Sequence, residues 1–263
     1  MILDDLRLKL EAAAHPGYYA SIANQYPGVT DRLGVPMAAV RRAAADVVRA
    51  GEGLEFLEEA LAPGAMTSHE MKLVAALVIA TEWRLSFPEM LLAVERFMPN
   101  VTNWAVCDTL GEALGRFRKA RAEGRGWLQE MADSGEPWRV RLADVILLAH
   151  YLAPEECDFA FALFGAPKAL EAARTDYYAS MGLAWAIQTF AARFGERTAE
   201  FFFALIESER VDAVTARRTL QKIRDSFRFT DAEKRRWTKE GNAHLAEKAD
   251  RLPKSENRPI RLA

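Results

Sequence analysis

One predicted helix face combines a large aromatic ring, a carboxylate and two glycines at the spacing i, i+4, i+7 and i+11. The four residues are Trp104, Asp108, Gly111 and Gly115. This spacing places all four on one side of an α-helix. Glycine inside a helix costs about 1 kcal/mol relative to alanine. Two glycines on one face therefore indicate a close approach to the backbone, either by a ligand or by a neighbouring helix.

A second face, about two structural units later, again joins aromatic residues to a glycine. It consists of Tyr178, Gly182, Trp185 and Thr189. Between the two faces lie two arginines, Arg139 and Arg141. If the helices stack side by side, aromatic rings, one carboxylate and arginine share a surface that could hold a long ligand.

Each of these residues also has a purely structural interpretation. The aromatic rings could fill the core, the arginines could be solvated, and Asp108 could pair with an arginine or cap a helix. If the shared surface is real, Trp104, Asp108 and Trp185 should converge on it although they are distant in sequence.

Other chemistry is missing from the sequence. It has no glycine-rich phosphate loop and no histidine and cysteine spacing typical of a metal site, and its four histidines lie in separate segments. We therefore expect neither a metal nor another cofactor. Cys107 and Cys157 each sit in an apolar helical run, which predicts two small buried side chains and suits a reducing compartment.

The charge is nearly balanced overall but unevenly distributed. The net charge is −2, whereas residues 201–263 carry 15 basic and 10 acidic side chains. A second basic cluster consists of Arg116, Arg118, Lys119, Arg121 and Arg125. Both stretches could contact phosphate, because only the contacted face matters, or they could be solvated helix faces.

Helical periodicity runs through almost the whole chain, and no segment has the alternation of a strand. Three Ser/Thr-x-x-Glu patterns predict helix starts by capping boxes, at Thr67/Glu70, Ser86/Glu89 and Thr230/Glu233. Glycine and proline predict breaks between helices, among them one at 124–126.

The strongest helices recur at intervals of 32 to 39 residues. They are predicted to begin near Met37, His69, Asn103, Trp138, Tyr177 and Thr215. Each interval holds a long and a shorter helix, which is typical of a helical solenoid. We predict an all-α fold, a right-handed α-solenoid of HEAT-like helix pairs with a concave face. It should form a single domain over 1–238, followed by a charged, partly disordered tail over 239–263.

The N-terminal segment is charged and amphipathic, and no apolar run reaches the length of a membrane span. We therefore expect a cytoplasmic protein that is not bound to a membrane.

At these residues the chain resembles the HEAT-like DNA alkylation-repair glycosylases, the AlkD-like family. The most specific matches are the segments NWAVCD at 103–108 and YYASMGLAW at 177–185. Weaker matches lie at 33–35, 40–42, 138–141 and 219–224, so the resemblance extends over about 15–237.

The resemblance implies a curved array that clamps double-stranded DNA and removes positively charged 3- or 7-alkylated purines without drawing the lesion into a deep pocket. It implies a catalytic role for Asp108 and aromatic contacts to the damaged nucleotide by Trp104 and Trp185. It also implies a phosphate contact by Arg141.

We further predict DNA contacts by Arg139, Tyr178 and Arg218, and a monomer. Two alternatives stay open: a non-catalytic member that binds altered or branched nucleic acid, and a scaffold whose concave face holds a protein.

Overall fold

The computed structural model describes residues 2–21 and 28–251, and within these ranges the chain forms 14 α-helices and no strand. The helices are α1 Ile2–Ala12, α2 Pro16–Ser21, α3 Met37–Arg49, α4 Gly53–Ala60, α5 His69–Thr81, α6 Phe87–Phe97, α7 Trp104–Ala113, α8 Arg121–Ser134, α9 Pro137–His150, α10 Cys157–Phe164, α11 Pro167–Thr175, α12 Tyr177–Glu207, α13 Ala213–Asp225 and α14 Asp231–Arg251. The predicted all-helical fold is confirmed. Every predicted start of a long helix falls within two residues of an observed one.

Tertiary contacts divide the chain into two compact units. The first contains the chain up to Leu128 together with Arg141–Tyr151, and the second contains Gln129–Val140 and the chain from Leu152 onward. The expectation of a single domain over 1–238 stays a prediction. Helix α14 extends to Arg251, so the part of the predicted tail before that residue is helical, whereas 252–263 lie outside the described residues.

In the first unit, helix α5 occupies the centre. It packs against α3 on one side and α7 on the other, and α4 and α6 also contact it. Its sequence is apolar on nearly all faces, and ten of its residues are buried. A helix that is apolar all round belongs in the interior, which explains why this segment organises its neighbours.

In the second unit, the longest helix is α12, which packs against α11, α13 and α14. It is kinked at Phe194 and Gly195, whose backbone angles are not helical. Glycine tolerates this geometry because it has no side chain to clash with the preceding turn. The kink separates the segment that carries Tyr178 and Trp185 from the rest of α12.

Two of the three predicted capping boxes are confirmed. The Ser86 and Thr230 hydroxyls accept from the backbone N–H of Glu89 and Glu233, whose carboxylates accept from the cap residues in return. The prediction for Thr67 and Glu70 is wrong. There, Ser68 caps α5.

The carboxylate of Glu70 has a different role. It accepts hydrogen bonds from the backbone N–H groups of Leu33, Gly34 and Val35, at 2.8 to 3.2 Å. This long-range contact ties the segment before α3 to the start of α5 and cannot be seen in the local spacing.

The predicted break at 124–126 is also wrong, because α8 continues through it. Gly124 lies so close to Phe117 that a Cβ there would be 2.5 Å from a ring carbon. The glycine therefore serves packing rather than a turn. Among the described residues, no helix is both long and apolar enough to cross a lipid bilayer.

Candidate functional site

The start of α7 is fixed by the side chain of Asn103. Its Oδ1 accepts from the backbone N–H groups of Ala105 and Val106, at 3.1 and 3.2 Å. Its Nδ2 lies 3.3 Å from Nδ1 of His69. Burial lowers the pKa of His69, so the imidazole is neutral and can accept from the amide. Trp104, the next residue, therefore projects from a rigid helix end.

One turn further along α7, Asp108 forms a bidentate ion pair with Arg141 of α9. Arg141 Nε donates to Oδ1 at 2.9 Å and a terminal nitrogen donates to Oδ2 at 2.8 Å. The side chains are only 12 % and 7 % exposed, for Asp108 and Arg141. Burial alone would lower the pKa of Arg141, but the hydrogen bonds to Asp108 and the charges of neighbouring groups together outweigh burial and raise it. Arg141 is therefore charged, and the bidentate geometry is that of an ion pair.

Gly111 explains how the two helices come close enough for this pair. A Cβ at Gly111 would lie 2.6 Å from Cγ1 of Val145 and 3.2 Å from Cδ1 of Leu142. Of the two interpretations considered for this glycine, close helix packing is therefore the one observed. Gly115 is different, because α7 ends at Ala113 and nothing lies near the position of a Cβ there.

A second carboxylate, Asp144, lies on α9 one turn beyond Arg141 and is only 4 % exposed. Its Oδ2 has no hydrogen-bond partner among the described residues. Burial raises its pKa well above the usual range, although the charge of Arg141 opposes this shift. Sequence analysis missed Asp144. The i, i+3 spacing from Arg141 was the only signal that could have identified it.

Four side chains of the second unit form a continuous series of ring contacts. The rings of Trp138 and Tyr178 stack at 5.0 Å, and Tyr178 meets Tyr177 edge-on at 5.2 Å. The guanidinium of Arg218 lies 4.8 Å from the centre of the Tyr177 ring. Two predicted DNA-contacting residues, Tyr178 and Arg218, thus belong to one cluster, to which α9, α12 and α13 contribute.

The remaining predicted site residues are placed as follows. Arg139 forms an ion pair with Glu136 at 3.6 Å. Trp104 lies on α7 in the first unit and Trp185 on α12 in the second, and both rings are half-buried. The convergence of Trp104, Asp108 and Trp185 stays a prediction.

Three arginines of the basic cluster after α7 bind backbone carbonyl groups. Arg116 donates to the carbonyl oxygens of Glu82 and Leu85. Arg118 and Arg121 donate to the last residues of α9, at Ala149 and His150. Capping of helix ends by arginine is favourable because it also complements the helix dipole. These three arginines therefore have a structural role that composition alone could not distinguish from phosphate binding.

Both cysteines are buried, as predicted, and both are free thiols. Burial raises the pKa of Cys107 well above its usual value and also raises that of Cys157. In the part of the chain that the structure describes, no group of three or more potential ligands is arranged to hold a metal ion.

Comparison with known proteins identifies one family. The model of the family described as DNA alkylation repair enzyme matches residues 6–208, a range that contains Trp104, Asp108, Arg141 and Trp185. No curated protein and no solved structure matches the chain significantly. Because the family match covers most of the 263 residues, the chain belongs to the family of DNA alkylation repair enzymes.

Proposed function

We propose that this protein is a DNA glycosylase that removes positively charged 3- or 7-alkylated purines from double-stranded DNA. The observation that carries the proposal is the carboxylate of Asp108, oriented by two hydrogen bonds from Arg141 on rigid helices of a DNA alkylation repair enzyme. A catalytic carboxylate must be held in place by its neighbours. A bidentate arginine fixes both the position of the carboxylate and the orientation of its plane.

The chemistry requires only one carboxylate. An alkylated purine already carries a positive charge, so it leaves with the electron pair of the glycosidic bond and needs no general acid. Positive charge then builds on the sugar, where the carboxylate of Asp108 and the electron-rich faces of Trp104 and Trp185 would stabilise it. Water adds its oxygen to the anomeric carbon, and its proton passes to Asp108 or to solvent.

Arg141 would contact a phosphate beside the lesion while it holds Asp108. A guanidinium group is planar and permanently charged, which suits it to both carboxylate and phosphate oxygens. In this proposal, one arginine joins the reacting carboxylate to the DNA backbone. Further contacts to the DNA strand would come from Arg139, Tyr178 and Arg218. The proposed reaction requires no metal or other cofactor.

For the architecture, we propose a right-handed α-solenoid of HEAT-like pairs that forms a single domain over 1–238. The protein would be a monomer whose concave face carries the DNA. The neighbour order of the first unit supports this proposal, because α5 packs against both α3 and α7. Stacking of every second helix is typical of helical repeats.

The test is the replacement Asp108→Asn. We expect the single-turnover rate of 7-methylguanine release from duplex DNA to fall by about 10²–10³-fold, the loss typical of removing one electrostatic stabiliser. The matched control is Glu123→Gln, which removes an exposed carboxylate on α8 and should leave the rate unchanged.

Stability must be measured beside the rate. Because the structure pairs Asp108 with the buried Arg141, the replacement should lower the unfolding free energy by about 1–3 kcal/mol. The rate is therefore compared below the melting temperature of both proteins. An unchanged rate would mean that Asp108 is structural. Duplex binding without base release by the unmutated protein would favour a non-catalytic family member.

A further inference from the structure

A shallow groove of the first unit lies between α3 and α5 and is lined by neither Asp108 nor Arg141. It encloses about 510 Å³, which is within the range of small-molecule sites. Ala44, Val48 and Leu77 give it an apolar lining, and two arginines of α3, Arg41 and Arg49, also line it. A basic groove with an apolar lining could accept a ligand that is both flat and anionic.

Trp83 also lines this groove, although 72 % of its surface is exposed. Loose packing of the loop does not explain this exposure. The neighbouring Glu82 is buried, and its carboxylate accepts from the backbone N–H and Nε of Arg84 at 3.0 and 2.8 Å. Arg116 donates to the carbonyl groups of Glu82 and Leu85, which flank Trp83 in the sequence. The loop thus presents a large aromatic ring to solvent on a fixed backbone.

Both arginines of the groove, Arg41 and Arg49, can contact an anionic ligand. Arg49 pairs with Asp46 at 2.7 Å, but the two side chains are 74 % and 63 % exposed, so the pair is weak and easily exchanged. Arg41 is exposed and forms no ion pair within the described part of the chain. The two lie eight residues apart on α3, which corresponds to about 12 Å along the helix.

Arg41 also links the groove to the face of α7 that carries Asp108. Burial raises the pKa of Glu112, the charge of Asp108 raises it further, and Arg41 lowers it. Glu112 lies one turn beyond Asp108, so Arg41 is close enough to act on the same face of α7.

We propose that this groove binds a single-stranded segment of nucleic acid, with one base stacked on Trp83 and phosphates at Arg41 and Arg49. A basic groove with an exposed aromatic ring is the arrangement that binds single strands without regard to sequence. Paired bases inside a duplex stack on each other and offer no free face to Trp83. This binding activity goes beyond the proposed excision from duplex DNA and does not depend on it.

The test is fluorescence anisotropy of a short labelled oligothymidylate at low salt. Trp83→Ala should weaken binding by about fivefold or more, as loss of one base–aromatic stack does, whereas Trp83→Phe should retain most of the affinity. The matched control is Leu92→Ala, which removes another exposed apolar side chain, 61 % exposed, on α6. Replacing both Arg41 and Arg49 by alanine should reduce the salt slope by about 1.4, because each phosphate contact to a single strand contributes about 0.7.

Two results would overturn the proposal. The first is oligothymidylate affinity that is absent in the unmutated protein or equal in Trp83→Ala. The second is a dimer, seen by sedimentation, that Trp83→Ala dissociates, because a second copy would then occupy the groove. The oligonucleotide carries no lesion, and Asp108→Asn should bind it normally. Failure of this proposal is therefore distinguishable from failure of the glycosylase proposal.

Discussion

At the scale of single residues, the candidate site contains three buried ionisable side chains, Asp108, Arg141 and Asp144, which differ in their hydrogen-bond partners. Asp108 and Arg141 neutralise each other, whereas Asp144 is buried on the same helix as Arg141 with an oxygen that has no hydrogen-bond partner within the described residues. A carboxyl oxygen that loses hydration without gaining a hydrogen bond makes the charged form of its group costly, and the pKa of Asp144 is raised accordingly. Asp108 is the carboxylate that pairs with Arg141 by hydrogen bonds.

This assignment predicts how Asp144→Leu changes stability with pH. The raised pKa of Asp144 means that the folded state binds a proton more tightly than the unfolded state does. The native carboxyl is therefore increasingly unfavourable as pH rises above the unfolded pKa of about 3.9 and towards the folded value. We expect the leucine variant to be more stable than the unmutated protein, by about 1–3 kcal/mol at neutral pH, with a smaller gain at acidic pH.

Thermal melting at several pH values between 4 and 8 measures this difference. The exposed replacement Asp133→Leu is the control and should show no pH-dependent gain. A gain for Asp144→Leu that is the same at all pH values would mean that Asp144 is ionised in the folded protein throughout this range.

At the scale of helices, the decisive contact is the close approach of α7 to the part of α9 that begins at Arg141. Gly111 permits it, and His150 secures the far end by a hydrogen bond of 2.9 Å between its Nε2 and the carbonyl of Gly111. Arg118 donates to the other ring nitrogen at 3.2 Å. With one nitrogen accepting and the other donating, the ring is neutral, which agrees with the pKa of His150 being lowered by burial.

We predict that Gly111→Ala destabilises the protein by about 1–3 kcal/mol. Alanine would gain up to about 1 kcal/mol of helix propensity, but its Cβ would meet Val145 at 2.6 Å, and such overpacking outweighs the gain. The matched control is Gly126→Ala on α8, where a Cβ meets nothing within 4 Å and the change should stabilise. Denaturant unfolding tests both variants. If the clash is the cause, adding Val145→Ala should restore part of the loss in Gly111→Ala.

The sequence predicted helices well because their signals are local. Apolar periodicity and the caps at Ser86 and Thr230 lie within one turn of the helix starts that they mark. Prediction from the sequence failed where a side chain bonds to a segment that is distant in the chain. Glu70, for example, accepts hydrogen bonds from the backbone of 33–35.

The same distinction applies to the candidate site. Spacing identified Asp108, and the family resemblance identified Arg141. That the two pair with each other, and that Asp144 is buried nearby, depends on how α7 and α9 pack. Gly111 indicates a close approach but does not reveal which residues lie opposite Asp108.

At the scale of the whole molecule, a net charge of −2 must be reconciled with a polyanionic partner. Three arginines of the basic cluster after α7 bind carbonyl groups, so fewer cations are available for phosphate than composition suggests. Affinity for duplex DNA should therefore depend on a few contacts and be moderate.

We predict that duplex binding weakens steeply with salt. About three to five phosphate contacts would give a slope near −3 to −5 when the logarithm of the association constant is plotted against that of salt concentration. Arg218→Ala should reduce the slope by about one, whereas Arg174→Ala, which removes an exposed arginine paired with Glu171, should not. An affinity that stays constant between low and physiological salt would exclude this mode of binding.

The burial of both cysteines has a consequence for a protein that works where DNA is being alkylated. Thiolates are strong nucleophiles, so the reagents that damage purines also attack cysteine. Here the chain has only Cys107 and Cys157, both enclosed and with their pKa values raised, so that they remain thiols. Cys107 directly precedes Asp108, and an adduct there would disturb the helix that carries the proposed catalytic group. The fold thus makes the enzyme itself a poor target for the electrophiles whose lesions it repairs.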